Sequence, residues 1–338
     1  MPSLIIFDVG HGNCAFLEDG AVRTLFDCKD ASLFIEFLLA HNIDTIDQVV
    51  VSHTDADHIA GIAALIQSDY VQIGAVYVNA DAAKDTDVWK ELKIALQDAA
   101  DKKGLEVMTT IGANMPNALA HGAVRIEVVS PGIVWRLTGN GGRLPNGGSL
   151  NANSMSVVLR LHHENHPVVL LPGDMDAAAL QDIVARNQQL TADILVFPHH
   201  GGNVSVAGNV AARQAENTAF TTDLLNRCAP SMVVFSIGRG IHGTPRPEIT
   251  QQIHGQPQPC VISCTQLSEH CHAGATPANP IHLGPLPARG RPGNCCCGGS
   301  MEIQLAGNGT VAAIARQQHT NFIAKHVATP LCQAPAAP

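Results

Sequence analysis

Four side chains able to bind a metal ion fall within six consecutive residues of this chain. They are His53, Asp55, Asp57 and His58. The β-branched stretch Gln48–Val51 before them predicts a strand, and the apolar stretch Ile59–Gln67 after them predicts a helix. A divalent ion needs several carboxylate or imidazole donors at one point, and a strand-to-helix turn can direct alternate side chains there. The run therefore predicts a metal site, with a solvated turn in which Asp57 caps the helix as the alternative.

Polar residues also follow three later stretches that are predicted to be strands. In chain order these residues are Asp174, the pair His199 and His200, and His242. Functional side chains concentrate at strand ends, on loops that a rigid scaffold holds in place. Ordinary turn chemistry is the alternative for Asp174 and His242. We expect these residues to meet the cluster at 53–58 in one cleft.

The order of predicted elements indicates an α/β protein. The 338 residues are 46% apolar and 14% charged, which is ample for a large core. Strands and helices alternate, and a hairpin opens each of two β-rich halves, so we expect a four-layer αβ/βα sandwich. We predict one domain over 1–316 with a cysteine-rich insertion at 260–299, ending in a strand at Thr310–Ile314. Residues 317–338 are predicted to be a partly disordered tail.

Charge and hydropathy narrow the classes of partner. The chain has 20 Lys and Arg against 29 Asp and Glu, a formal net charge of −9, which counts against a long nucleic acid as substrate. Bound metal ions would add local positive charge that this count omits. Residues 1–9 lack the basic segment of a secretory signal, and no apolar run reaches the ~18 residues of a membrane span. We therefore expect a cytoplasmic protein that does not bind membranes.

Several motifs in order resemble the metallo-β-lactamase superfamily, whose signature is H-x-H-x-D-H. Here Asp55 replaces the second histidine. The resulting H-x-D-x-D-H is similar to the branch that includes the hydrolase domain of the competence DNA-uptake channel and bacterial phosphorylcholine esterase. The resemblance spans residues 4–255. The further segments that carry it are Phe7–Asn13, Leu25–Cys28, Asn153–Leu159, Leu171–Asp174 and Pro198–Gly202.

The resemblance implies a metal-ligand set and the four-layer fold of this superfamily. One ion would be held by Asp57, His58 and His200, a second by His53 and Asp55, with Asp174 bridging the two ions. Most relatives supply a further histidine to the second ion, shortly before the bridging aspartate. This chain offers Asn153 and Ser154 there as support for the second site. The resemblance implies two ions, Zn²⁺ or Mn²⁺. Because carboxylate donors suit Mn²⁺ better than imidazoles and thiolates do, we expect the second site to be either weak or selective for Mn²⁺ over Zn²⁺.

The resemblance also implies catalytic roles and a reaction. Asp57 would orient a metal-bound hydroxide that attacks phosphorus, His199 would face the phosphate or act as an acid, and His242 would line the pocket. We expect a phosphodiesterase or nuclease acting on a small nucleotide or single-stranded nucleic acid, in bacterial defence or DNA processing. The expected phosphate partners are Arg143, Arg239, Arg246, Arg289 and Arg291. The alternatives are hydrolysis of a carbon ester, thioester or lactam, and a non-catalytic binding module.

Cysteines cluster in the C-terminal third of the chain. A structural Zn²⁺ needs four thiolate or imidazole ligands, and such an ion would hold a segment too poor in apolar residues to form a core. The predicted ligands are Cys264, Cys271, Cys296 and Cys297. The reserve candidates are Cys260, His272 and Cys295. Buried free thiols or disulfides are the alternative.

Overall fold

The computed structural model describes residues 1–20, 22–115, 119–120, 122–144, 148–205, 209–274, 282–305 and 313–333. In these residues the strands are β1 (Ser3–Ile6), β2 (Ala15–Glu18), β3 (Arg23–Phe26), β4 (Thr45–Val50), β5 (Gln72–Tyr77), β6 (Glu106–Met108), β7 (Val124–Ser130), β8 (Val158–His163), β9 (His166–Leu171), β10 (Ile194–Val196), β11 (Met232–Phe235), β12 (Val261–Cys264) and β13 (Met301–Gln304).

Nine α-helices accompany these strands in the described ranges. They are α1 (Ala31–Ala40), α2 (Ala56–Ile59), α3 (Ile62–Gln67), α4 (Asp87–Lys103), α5 (Ile133–Thr138), α6 (Ala177–Ala185), α7 (Val210–Cys228), α8 (Pro247–His254) and α9 (Ala313–His326). A single 3₁₀ turn follows β10 at Pro198–Gly201. None of the helices described is long and apolar enough to cross a bilayer.

The strands form two sheets, and the site-bearing loops leave both at one edge. The first sheet has the order β13-β1-β2-β3-β4-β5-β6, and the second has the order β12-β11-β10-β9-β8-β7. Strands β3 to β6 run parallel, as do β9 to β12, whereas the remaining pairs are antiparallel. Residues after β4, β9 and β10 therefore leave the carboxyl ends of parallel strands, where open α/β sheets place functional groups.

Three clusters of buried apolar side chains hold the four layers of helices and sheets together. The two sheets face each other through side chains such as Leu4 and Phe26 on one side and Leu159 and Val196 on the other. The first sheet packs outward on α1, α3 and α4, and the second packs outward on α6, α7, α8 and α9. Burial of each large apolar side chain stabilises the fold by about 1.5–3 kcal/mol. The predicted α/β class and four-layer arrangement are confirmed.

The single helix predicted at Ile59–Gln67 is instead two short helices, α2 and α3. The break lies at Gly61, whose backbone N–H donates to the carbonyl of Cys28 at 2.8 Å. A Cβ at Gly61 would lie 2.6 Å from the backbone nitrogen of Ala31, so only glycine permits this approach. The close contact holds the metal motif against the loop that follows β3.

Helices α5, α7 and α8 were not predicted. The buried face of α7 explains its omission, because it mixes Phe220 and Leu224 with the polar residues Asn217 and Thr221. The Asn217 side-chain oxygen accepts the backbone N–H groups of residues 204 and 205, at 3.0 and 3.2 Å. A polar residue with a structural partner interrupts the apolar period from which a helix is predicted.

The C-terminal expectations are partly wrong. Of the strand predicted at Thr310–Ile314, residues 310–312 lie outside the described residues and 313–314 begin α9. Phe322, Ile323 and Val327 are buried in the core of the second sheet, so this part of the predicted tail is ordered helix. Residues 334–338 lie outside the described residues. The predicted insertion at 260–299 begins beside β12 and carries the chain from the second sheet back to the first.

Glu127 on β7 allows a test of fold stability against pH. Its carboxylate accepts hydrogen bonds from His162 at 2.6 Å and from Arg160 at 2.9 and 3.0 Å. The His162 hydrogen bond, together with Arg160, outweighs burial and lowers the pKa of Glu127 to about 2. Because this pKa lies below its ordinary value of 4.5, the stabilisation is complete above pH 4.5 and is lost as the pH falls toward 2.

We expect Glu127→Gln to reduce the free energy of unfolding at pH 7 by about 1 kcal/mol, discounted for partial exposure. The difference from wild type should narrow at pH 3. Urea denaturation at both pH values measures it, with Glu91→Gln on the exposed face of α4 as control. An equal loss at both pH values would contradict the assignment.

Candidate metal centre

Four predicted ligands converge at the edge where the two sheets meet. One donor atom from each of Asp57, His58, Asp174 and His200 lies within 4.8 Å of the other three. Asp57 and His58 follow β4, Asp174 follows β9 and His200 follows β10. Across the ranges that the structure describes, no other set of His, Cys, Asp and Glu meets this distance. Residues far apart in sequence therefore present two carboxylates and two imidazoles to one point.

The atoms that face this point lack hydrogen-bond partners. They are His58 Nε2, His200 Nε2 and Asp174 Oδ1 at this point and His53 Nε2 beside it, all buried. A buried polar atom without a partner costs about 1–3 kcal/mol, so such atoms normally have one. Three imidazole nitrogens and a carboxylate oxygen match the ligand types of Zn²⁺ and related divalent ions. The donor set fits a metal ion.

Outer hydrogen bonds orient the two imidazoles of this group. His58 Nδ1 lies 2.7 Å from Asp27 Oδ2, and since a carboxylate only accepts, Nδ1 carries the proton. His200 Nδ1 donates to the backbone carbonyl of Ser236 at 2.7 Å. Each ring therefore directs Nε2 to the centre, the usual arrangement of metal-binding histidines. No role was predicted for Asp27, although it lies in the Leu25–Cys28 motif.

The backbone at the centre is held in unusual conformations. Asp27, His199, His200 and His242 all have positive φ angles, between 53° and 55°. Such a conformation costs a non-glycine residue roughly 1–2 kcal/mol. Gly173, beside Asp174, also has φ +55°, and a Cβ there would lie 2.6 Å from Ser156 Oγ. Residues in this region of φ cluster where function requires a particular side-chain direction.

The carboxylates and imidazoles shift one another's pKa values. Burial alone would raise the pKa of Asp57, but the nearby imidazoles of His200 and His58 hold it below its usual range. Burial alone would lower the pKa of His58, but Asp174 and Asp27 outweigh it and raise that pKa well above 6.5. Burial and the neighbouring His58 lower the pKa of His53 to about 4. Asp57 is therefore ionised at neutral pH, and His53 presents a neutral imidazole.

The residues predicted to bind a second metal ion are arranged differently from the ligands of the first. His53 Nε2 lies 3.9 Å from an oxygen of Asp55 and 3.9 Å from one of Asp174. The other Asp55 oxygen forms an ion pair with Lys84, a residue to which no role was assigned. Asn153 lines a cavity of about 440 Å³ beside Asp55 and Lys84.

The predicted support from Ser154 is not formed. The Ser154 hydroxyl donates to Asp176 at 2.6 Å, and its backbone N–H donates to the Asn151 side chain at 2.9 Å. Asp176 caps helix α6, so Ser154 supports the start of that helix.

A cleft of about 940 Å³ opens beside Asp57. His242 lines it, and so does His11, whose ring centroid lies 4.4 Å from that of His200 and 4.8 Å from that of His242. His11 Nε2 lies 3.6 Å from Asp57 Oδ2, and burial and His200 lower the pKa of His11 to about 3. His11 had no predicted role, although it lies inside the Phe7–Asn13 motif.

His199 also borders the centre, donating through Nδ1 to Asp174 Oδ2 at 2.8 Å.

Two of the five predicted phosphate partners line this cleft. They are Arg239 and Arg289, and Lys29 joins them. The other three are absent from its lining: Arg143 pairs through its backbone with Ser149, Arg246 forms an ion pair with Glu248 at 2.5 Å, and Arg291 donates to backbone carbonyls at 284 and 286.

Three of the four predicted zinc ligands, Cys264, Cys271 and Cys297, neighbour one another and Cys332, whereas the fourth, Cys296, has a different contact. Cys296 Sγ lies 3.5 Å from Asp8, whereas Cys297 Sγ lies 3.3 Å from His319. The two neighbours therefore point to different surroundings. Burial, with the neighbouring thiols of Cys297, Cys271 and Cys332, raises the pKa of Cys264 well above 9.0. Without a metal ion, burial keeps the thiols of Cys264 and Cys297 neutral.

Comparison with known proteins gives a match to one family. A family model described as the metallo-beta-lactamase superfamily matches residues 7–252. A search of curated proteins finds no match.

Three of the solved structures that are similar to the chain each cover 78% of it. The metallo-beta-lactamase fold protein YhfI from Bacillus subtilis is 17% identical, with a TM-score of 0.47, covering 78% of this chain and 96% of that one. Igni18, a metallo hydrolase from the archaeon Ignicoccus hospitalis, is 14% identical with a TM-score of 0.44, covering 78% and 95%. A diphosphatase from the PhnP family is 12% identical with a TM-score of 0.42, covering 78% and 95%.

We expect Asp174→Asn to abolish stable metal binding, because the loss of one carboxylate charge leaves the facing imidazoles without their shared anion. Metal per chain, measured by plasma mass spectrometry after gel filtration, should fall at least about tenfold. Asp98→Asn, an exposed residue of α4, is the matched control and should retain the wild-type content. Equal metal content in both variants would contradict the assignment of the centre.

Proposed function

This chain belongs to the metallo-β-lactamase superfamily, and from that premise we propose that it hydrolyses phosphodiester bonds in a small nucleotide or a single-stranded nucleic acid. The superfamily consists mostly of metal-dependent hydrolases. The choice of a phosphodiester within that chemistry is supported by the cleft beside the centre.

The observation that carries this choice is the set of cations in the cleft wall. Lys29, Arg239 and Arg289 line the same cleft as Asp57, but the guanidinium of Arg239 already donates to the backbone carbonyls of Leu267, His272 and Gly274. The phosphate contacts are therefore proposed for Lys29 and Arg289. Arginine and lysine donate charge-assisted hydrogen bonds to phosphate oxygens, which a neutral acyl ester or lactam does not require. The volume of about 940 Å³ lies in the range of small-ligand sites. A net charge of −9 disfavours a long duplex, so we propose a short or single-stranded substrate.

The ligands proposed for the catalytic ion are Asp57, His58, Asp174 and His200. A divalent ion bound there supplies Lewis acidity and lowers the pKa of a water molecule toward neutrality. Zn²⁺ and Mn²⁺ both suit a set of imidazoles and carboxylates.

The side chains around this point divide the remaining tasks. Asp57 is ionised and its side chain is 27% exposed, so its carboxylate faces both the centre and the cleft and can accept a proton from the attacking water. His199 is held by its Nδ1 bond to Asp174, and its ring is 32% exposed. Burial opposes protonation of His199, but the bond to Asp174 outweighs it and raises the pKa, so Nε2 can donate to a phosphoryl or leaving oxygen.

The cations of the cleft bind and orient the substrate. Arg289 is 61% exposed and pairs with Asp30 at 3.2 Å, so its guanidinium is free enough to turn toward a phosphate. Lys29 donates to the backbone carbonyl of His11, which keeps its ammonium group beside the cleft wall. Charges on a cleft wall raise the local concentration of an anionic substrate.

We expect Asp57→Ala to abolish hydrolysis of a chromogenic phosphodiester, by at least about 10²-fold in kcat, because it removes both a metal ligand and the proton acceptor. The assay compares a phosphodiester with an acyl ester, each with Mn²⁺ and with Zn²⁺. Asp98→Ala serves as control, and circular dichroism should show an unchanged fold. Hydrolysis of the acyl ester alone would refute the proposal, and unchanged turnover in Asp57→Ala would mean that the centre lies elsewhere.

We expect Arg289→Ala to lower kcat/KM for the phosphodiester about tenfold, mainly through KM, since a charge-assisted hydrogen bond to phosphate is lost. Arg125→Ala removes a similarly exposed arginine from β7, away from the cleft lining, and should leave kcat/KM unchanged. An identical effect of the two substitutions would show that only net charge matters.

A further inference from the structure

The carboxylate of Asp55, a predicted ligand of a second ion, already has a protein cation beside it. The ammonium group of Lys84 forms an ion pair with one of its oxygens, and the lysine side chain is only 21% exposed. A divalent ion on the same carboxylate would lie close to this ammonium, and the two positive charges would repel each other. Lys84 therefore competes directly with a second metal ion for Asp55.

The loop that carries Lys84 is fixed against the metal motif through Asp81, which is buried. One Asp81 oxygen accepts the backbone N–H of Lys84 at 3.0 Å, and the other accepts the hydroxyl of Thr54, the residue before Asp55. The indole N–H of Trp89 donates to the backbone carbonyl of Asp81 at 3.0 Å. The ion pair between Lys84 and Asp55 is therefore built into the fold and is not an incidental surface contact.

The remaining donors near Asp55 are few. His53 Nε2 is buried without a hydrogen-bond partner, 3.9 Å from Asp55 Oδ2 and 3.9 Å from Asp174 Oδ2. That Asp174 oxygen already accepts from His199 at 2.8 Å. Among the residues the structure describes, the close donor group includes neither His53 nor Asp55. The geometry suits one metal ion and leaves the second position incomplete.

We propose that Lys84 replaces a second divalent ion in this site, neutralising Asp55 beside a single metal ion. The proposal rests on the proposed function, because the single ion is the one assigned to the hydrolytic centre. It revises the expectation of two ions that the resemblance implied. In this proposal Asp55, which stands in place of a histidine, binds the ammonium group of Lys84 instead of a second metal ion.

Titration of the metal-free full chain with Mn²⁺ alone tests this proposal. Bound Mn²⁺ is counted after gel filtration, and electron paramagnetic resonance reports whether two ions are magnetically coupled. Wild type should bind one Mn²⁺ per chain with the spectrum of an isolated ion. Lys84→Met removes the charge but keeps the aliphatic length, leaving His53, Asp55 and Asp174 as the three protein ligands of an open site. This variant should bind two coupled ions.

Two further variants separate charge from other effects. Lys84→Arg retains a cation and should bind one Mn²⁺, and Lys102→Met, at an exposed position of α4, should also bind one. Two ions in wild type, or one ion in Lys84→Met with an unchanged circular dichroism spectrum, would overturn the proposal. No substrate enters the titration, so a wild-type protein that binds one ion but hydrolyses no phosphodiester would contradict the proposed function alone.

Discussion

The buried carboxylate of Asp174 faces four imidazole rings that come from both sheets. Nitrogen-to-oxygen distances are 2.8 Å to His199, 3.2 Å to His58, 3.7 Å to His200 and 3.9 Å to His53. A buried anion is costly unless it is paired, and the surrounding imidazoles supply the partners of Asp174. The positive φ angles at His199 and His200 cost energy, which the packing of the two sheets must offset. The geometry of the site therefore depends on the packing of the two sheets.

The parts of the site that could be predicted are those encoded by short runs of residues. The cluster at 53–58 and the polar residues at the ends of β9 and β10 carry their signal locally, because a strand that ends in Asp or His directs that side chain to the sheet edge. The strand before the cluster was predicted at Gln48–Val51 and is observed as β4 (Thr45–Val50), whose carboxyl end is a buried β-branched run. The family match over 7–252 agrees with that chain of motifs.

The parts that could not be predicted depend on contacts between distant elements. Asp27 meets His58 only because β3 and β4 pair in parallel, which brings their following loops side by side. Lys84 meets Asp55 through a loop whose direction is set by Asp81, and neither contact leaves a pattern in the sequence. Cys296 and Cys297 show the converse, since these adjacent residues contact different partners, Asp8 and His319, although their proximity in sequence suggested one ligand sphere.

The segment that returns the chain to the first sheet also forms a wall of the cleft, through Gln266, Arg289 and Cys295. Asp8 anchors it, accepting the Gln266 side-chain amide at 2.8 Å and the backbone N–H of Gly290 at 3.0 Å. The proposed ligands of the ion, by contrast, all precede residue 201. The metal ligands and one wall of the cleft are thus encoded in separate lengths of the polypeptide, while His11 and Lys29 of the first half form part of the remaining lining. Evolution can therefore remake the later length, and with it the range of accepted molecules, without disturbing the reacting atoms.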